Sequence, residues 1–209
     1  MARTLREKVI DRLLSLYIID KCQREYGIPS MSETKMQKLV FLAEKELIDN
    51  RCKSLNYRFI KLLYPTYSQE LENDLNDLAS LRFLDGPYYS GNQRTRMILD
   101  DFQHVFERNR EIRHAIDDTL RKYAPIPTEQ LVHVVSRMRW RKGTIDKLGL
   151  RTPLLYPLKE AMARCIFEIS DEDLEDLAIC LSPKVSRGME QAFDELRRGQ
   201  RLTHAQVFG

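Results

Sequence analysis

TKMQKLVFLAEKELIDN (residues 34–50), followed by LNYRFIKLLYPTYSQELENDLNDLASLRFLD (residues 55–85), decides the fold. In the first segment Met36, Leu39, Val40, Ala43 and Leu47 recur at helical spacing and predict a helix with one apolar stripe. Burying each of its large apolar side chains contributes about 1.5–3 kcal/mol. In the second segment Tyr57, Phe59 and Lys61 alternate with Arg58, Ile60 and Leu62, as in a short strand, and Pro65 ends the alternation. Ser68 then suits the cap of a third helix that buries Leu71, Leu75 and Leu78. After Phe83 and Leu84, DGPYYSGNQRT (residues 85–95) contains Asp-Gly-Pro and Ser-Gly-Asn steps that read as turns of a hairpin or wing. Met97, Ile98 and Leu99 are expected as its second arm.

Working outward, residues 4–26 predict a first helix through Leu5, Val9, Leu13, Leu16 and Tyr17, stopped by Gly27 and Pro29. Ser30 and Glu33 have capping-box spacing for the second helix, with Ser32 as a rival cap. A long helix is expected over 101–123, then a fifth helix capped by Thr128. An irregular stretch should follow over 143–157, then a helix capped by Ser170 and another over 183–198. Thr203 and Gln206 suggest a last short capped turn. The expected fold is mainly α (α+β): several helices with a small β-sheet or wing in a winged-helix-like arrangement. Residues 1–140 would form the helical domain with its hairpin. Residues 141–209 would be a helical extension packed on it or wrapping a partner.

The 209 residues, 43% of them hydrophobic, can bury a core without staples. A net charge of +3 from 34 basic and 31 acidic residues excludes a chain that binds polyanions as a whole, so any basic patch must be local. Cys22, Cys52, Cys165 and Cys180 form no CxxC pair, which argues against a metal site, and the apolar settings of Cys165 and Cys180 suit reduced core thiols. No apolar run approaches the ~18 residues of a membrane span. The amphipathic N-terminus contains Glu7 and Asp11, unlike a signal peptide. A reducing cytoplasm is the expected compartment.

Catalytic motifs are lacking: there is no HExxH, GxSxG, GxxxxGK[ST] or GxGxxG. His104 and His114, on one predicted helix, would point well apart, and the pairs Asp100–Asp101 and Asp117–Asp118 read as solvated helix positions. The third helix carries Glu70, Glu72, Asp74 and Asp77 with no lysine or arginine. Placed in a DNA groove it would meet phosphate repulsion and release no counterions. It is either a solvated face or an acidic docking face for a basic protein. By contrast Arg137, Arg139, Arg141, Lys142, Lys147 and Arg151 surround the single tryptophan, Trp140. That composition fits a nucleic-acid groove, a protein hot spot, or a basic helix end with Trp140 plugging the core.

The run Met36–Gln37–Lys38–Leu39, continued by Phe41 and Leu42, and then Tyr64–Pro65–Thr66–Tyr67–Ser68 with Leu71, resembles the Panacea, or SocA-like, antitoxin domain over about residues 34–138. Pro65–Thr66 stand where that family has glycine–proline, and Arg82–Phe83–Leu84 replace its glycine-leucine-isoleucine end. The C-terminal SRGMEQAFDELRRGQRLTHAQVFG is similar to antitoxin tails that wrap a toxin. The resemblance implies a non-catalytic protein, often associated with mobile elements, that neutralises a toxin encoded nearby by direct binding, with no cofactor. The expected partner-binding residues are Tyr67, Glu70, Asp74, Arg139, Trp140 and Arg141. A regulator that binds nucleic acid through the wing and the basic segment is the alternative.

Overall fold

Side-chain caps set most of the helix starts. The computed structural model describes residues 3–86, 88–140 and 143–197. Thr4 opens α1 (Leu5–Tyr26) in a reciprocal capping box with Glu7, and Gly27 closes it at φ 63°. Of the competing serines, Ser32 starts α2 (Glu33–Asp49) by accepting from the Lys35 amide. Two short strands follow, β1 (Cys52–Lys53) and β2 (Phe59–Ile60), then α3 (Gln69–Ser80), capped by Ser68 as expected.

The chain reversal after α3 is a hairpin of β3 (Leu84–Asp85) and β4 (Ser90–Gly91). Residues 97–99 are not its second arm. The Asn92 side chain accepts from the Arg94 and Thr95 amides and starts α4 (Gln93–Asp101), which buries Ile98 and Leu99 and leaves Met97 exposed.

The long helix expected over 101–123 is broken into α5 (Gln103–Arg108) and α6 (Arg110–Tyr123). At the break, the Asn109 side chain donates to the carbonyls of Val105 and Glu168 and accepts from the Glu168 amide at 2.7 Å. Its amide group thus replaces helical continuity with a tertiary clasp. His104 and His114 consequently lie on different helices.

Pro127, not Thr128, occupies the cap position of α7 (Thr128–Ser136), and no side-chain capping bond forms there. The stretch expected to be irregular contains strands. β5 (Arg139–Trp140) pairs with β6 (Gly143–Thr144), and β7 (Pro153–Leu155) pairs antiparallel with β2. β8 (Cys165–Ile166) pairs parallel with β1, ahead of Ser170-capped α8 (Asp171–Leu181) and of α9 (Pro183–Arg197). Arg198 of the expected last helix and the turn expected at Thr203 and Gln206 lie outside the described residues. The chain is mainly α-helical with small two-stranded sheets, in line with the sequence. Among the described residues no helix is long and apolar enough to cross a membrane.

α1 packs against α3, α4, α6 and α8, while α2 packs against α6 and α7. Because α1 is covered on most sides, it buries Asp11, Arg12 and Ser15 along with Val9, Leu13, Leu16, Ile18 and Ile19. Those polar groups must find partners in the core. Arg3 Nη1 reaches Asp11 at 2.7 Å and Asp74 at 2.6 Å, and Arg12 Nε reaches Asp74 at 3.0 Å. Arg12 also pairs with Asp77 and donates to the Leu181 carbonyl at 2.6 Å. Tyr57 Oη donates to Asp74 at 3.1 Å, and Asp11 accepts from the Asn56 amide at 2.9 Å. This network joins α1 to α3 and to the C-terminal end of α8.

Glu44 on α2 is the exception to this pairing. It is 1% exposed, and neither carboxylate oxygen closes a hydrogen bond, although the Tyr57 amide lies near enough to favour the anion. Burial, with the Asp11 charge adding to it, pushes its pKa well above the usual carboxylate range. The folded state therefore holds a proton that the unfolded state releases above about pH 4.5. Its contribution is fully present below that pH and declines as pH rises towards the folded pKa. Glu44→Met should raise stability by about 1–3 kcal/mol near neutral pH, the cost of leaving such a group unpaired. Urea titrations from pH 4 upward should show the gain widening with pH; a constant gain would mean Glu44 is not the titrating group.

Candidate functional site

Tyr67 lines two neighbouring grooves of about 520 and 480 Å³. The first is also bordered by Gln37, Lys38, Leu63, Tyr64 and Leu150, the second by Ile60, Glu70, Asn73 and Tyr156. Four large apolar side chains stand out into solvent here: Leu63 is 86% exposed, Tyr64 70%, Leu150 63% and Tyr156 62%.

The backbone beneath them is tightly held. Ile60 and Tyr67 exchange both backbone hydrogen bonds at 2.9 Å, closing the loop of residues 61–66. Gln37 clamps Ser68 by accepting from its amide at 2.8 Å and donating to its carbonyl at 3.0 Å. Lys38, 2% exposed, donates from Nζ to the Thr66 carbonyl at 3.0 Å. Pro65 and Thr66 are buried while Leu63 and Tyr64 are turned outward. Lys61 fixes the second segment: its Nζ donates to the carbonyls of Asp146 and Leu148, and its backbone pairs with Arg151 and Thr152. Leu150 is displayed between those anchor points.

Two non-glycine residues adopt the left-handed region here, Thr66 at φ 68° and Arg151 at φ 61°. Each such conformation costs roughly 1–2 kcal/mol and persists only where surrounding bonds enforce it. The Thr66 Oγ1 is buried without a partner. Burial lowers the Lys38 pKa to about 8 from the ordinary 10.5. Between those values the unfolded chain holds a proton that the folded chain has released, so stability rises with pH across that window. Lys38→Met should abolish the rise in denaturation curves taken from pH 7 to 10.5; an unchanged slope would mean that Lys38 is solvated.

The expected partner-binding residues are dispersed. Tyr67 stands at the grooves with its hydroxyl donating to Gln69 at 2.8 Å and bonded to Glu72. Glu70 borders the second groove, but Arg58 neutralises it at 2.7 Å. Asp74 is 1% exposed and belongs to the buried network, so it is no part of a docking face. The anticipated free acidic surface is therefore replaced by paired carboxylates beside apolar side chains. Arg139 is exposed, and Trp140 is half-buried with its ring 6.1 Å from that of Phe41, in the core-plugging role. Neither lines the grooves at Tyr67. Arg141 lies outside the described residues. Arg151, from the same basic stretch, does border the first groove.

Leu63, Tyr64, Leu150 and Tyr156 were not among the partner-binding residues expected from the sequence. The available signal was the unbroken run Leu62–Leu63–Tyr64 before Pro65: consecutive apolar residues cannot all face one side of a strand. Asp117, read as solvated, is instead bonded to Tyr17 Oη at 2.6 Å and to Lys21 at 3.0 Å. No family model matches the chain, and no curated protein or solved structure shows significant similarity to it.

Proposed function

We propose that this chain is a non-catalytic docking protein of the antitoxin type, which neutralises a partner protein by gripping it at the Tyr67 surface. The observation that carries the reading is the clustering of Leu63, Tyr64, Leu150 and Tyr156, largely exposed, around the two grooves. Single exposed apolar residues are ordinary, but a rigidly presented group on one face fits an interaction site. Aromatic anchors of this kind dominate interface energies. The pinning of their backbone by Gln37, Lys38 and Lys61 lowers the ordering entropy a partner must overcome. The absence of lysine and arginine from α3 speaks against DNA reading by that helix.

The test is co-expression with the product of the adjacent reading frame. A complex that forms, relieves that product's toxicity and is lost in a Leu63→Ala/Tyr64→Ala double variant supports the proposal. Tight binding of duplex DNA with steep salt dependence would favour a transcriptional regulator instead. A complex indifferent to the double substitution would remove this surface from the function.

A further inference from the structure

The pairing of β1 with β8 sets Cys52 directly opposite Cys165, two residues that sequence spacing gave no reason to connect. Glu111, in the first turn of α6, completes a group whose two sulfurs and one carboxylate oxygen all lie within 4.8 Å of one another. Cys52 Sγ is 3.9 Å from Glu111 Oε1. Ligands about 2.3 Å from a tetrahedral ion sit roughly 3.8 Å apart, so the separation matches a shared ion. Cys52 is buried, Cys165 half-buried and Glu111 exposed, and Glu111 and Cys165 border a pocket of about 430 Å³ that gives access from solvent.

We propose that Cys52, Cys165 and Glu111 form a site for a thiophilic divalent cation such as Zn²⁺, with a fourth position open to water. Two thiolates select a borderline-soft ion over Mg²⁺ or Ca²⁺, and three protein ligands leave one position free. Burial, reinforced by Cys52, pushes the Cys165 thiol up to about 12, and an incoming ion must displace the thiol protons to solvent. Arg164 is the built-in competitor. Its guanidinium pairs with Glu111 and lies 4.0 Å from Cys52 Sγ, and the ion must displace it. A bound ion would tie β1, β8 and α6 together at one point.

The test uses the full chain, reduced and stripped of metal, titrated with Co²⁺ and then Zn²⁺. One equivalent of Co²⁺ should bind with sulfur-to-cobalt charge-transfer absorption that Zn²⁺ abolishes. Cys52→Ser and Cys165→Ser should lose that absorption, and Cys180→Ser should retain it. Glu111→Gln, an exposed change compatible with folding, should weaken binding at least about tenfold, and Arg164→Ala should tighten it. Zn²⁺ should also raise the melting temperature of the wild type by more than that of Glu111→Gln. Cobalt uptake without thiolate absorption, or equal uptake by a Cys52→Ser/Cys165→Ser double variant, would overturn the site. Neither result bears on the Tyr67 surface, whose residues are separate.

Discussion

Asp74→Ala should destabilise the protein by about 3–5 kcal/mol, the usual consequence of stranding a buried charge. Asp74 accepts from Arg3, Arg12 and Tyr57, and its side chain is only 2% exposed. Its removal leaves the Arg12 guanidinium, 6% exposed, with Asp77 as its remaining carboxylate and the Tyr57 hydroxyl with Ser15 alone. Domain stabilities are about 5–15 kcal/mol, so the loss would consume a large part of the total. Urea denaturation of wild type, Asp74→Ala, Arg12→Ala and the double variant gives the pair's coupling directly. A single-variant loss under about 1 kcal/mol would mean that the network is open to water. The same burial rules out charge reversal at Asp74 as a probe of partner steering. Glu70→Lys, which breaks a half-exposed pair with Arg58 and a hydrogen bond from Ser68 Oγ, is the usable substitution.

Tyr64→Ala should weaken partner binding by at least about 2 kcal/mol, roughly thirtyfold, as truncation of a central aromatic anchor does. Leu63→Ala should act in the same direction. Both side chains are mostly solvent-exposed in the free protein, so the folded state should change by no more than about 0.5 kcal/mol. That separation of affinity from stability distinguishes a docking residue from a packing residue. Titration calorimetry of the complex beside denaturation of the free chain reads both. Equal affinity in the variants would refute the anchoring role.

Much of the helical framework was written in local chemistry. Ser68 and Ser170 each cap the helix they were expected to cap, and Gly27 takes the left-handed conformation that ends α1. These signals act within three or four residues, so a sequence pattern can carry them. The failures involve distant partners. Asn109 breaks the expected long helix because its side chain is bound to the Glu168 backbone, which no local window includes. β2 pairs with β7 and β1 with β8 across long stretches of chain. Residues 97–99 suit strand or helix equally by composition, and the Asn92 cap decided for helix.

The site was legible to a similar degree. Tyr67, expected as a partner-binding residue beside the acidic helix, stands at both grooves. The acidic helix was misread because charge counting cannot tell a buried carboxylate such as Asp74 from a solvated one. What separates them is the approach of Arg3, which precedes α1, and of Arg12 within α1, both more than sixty residues away in sequence. Leu150 joins Leu63 and Tyr64 through the bonds of Lys61 to the backbone of residues 146–152.

The most direct test of a partner gripped at Tyr67 is site-specific photo-crosslinking in the native host. A photoreactive phenylalanine analogue is placed at position 64 or 150 and, as a control, at the exposed Met97 position on α4. Covalent attachment of one protein to positions 64 and 150, and none to 97, is the predicted result. No adduct at 64 and 150, or the same adducts at all three positions, would contradict it.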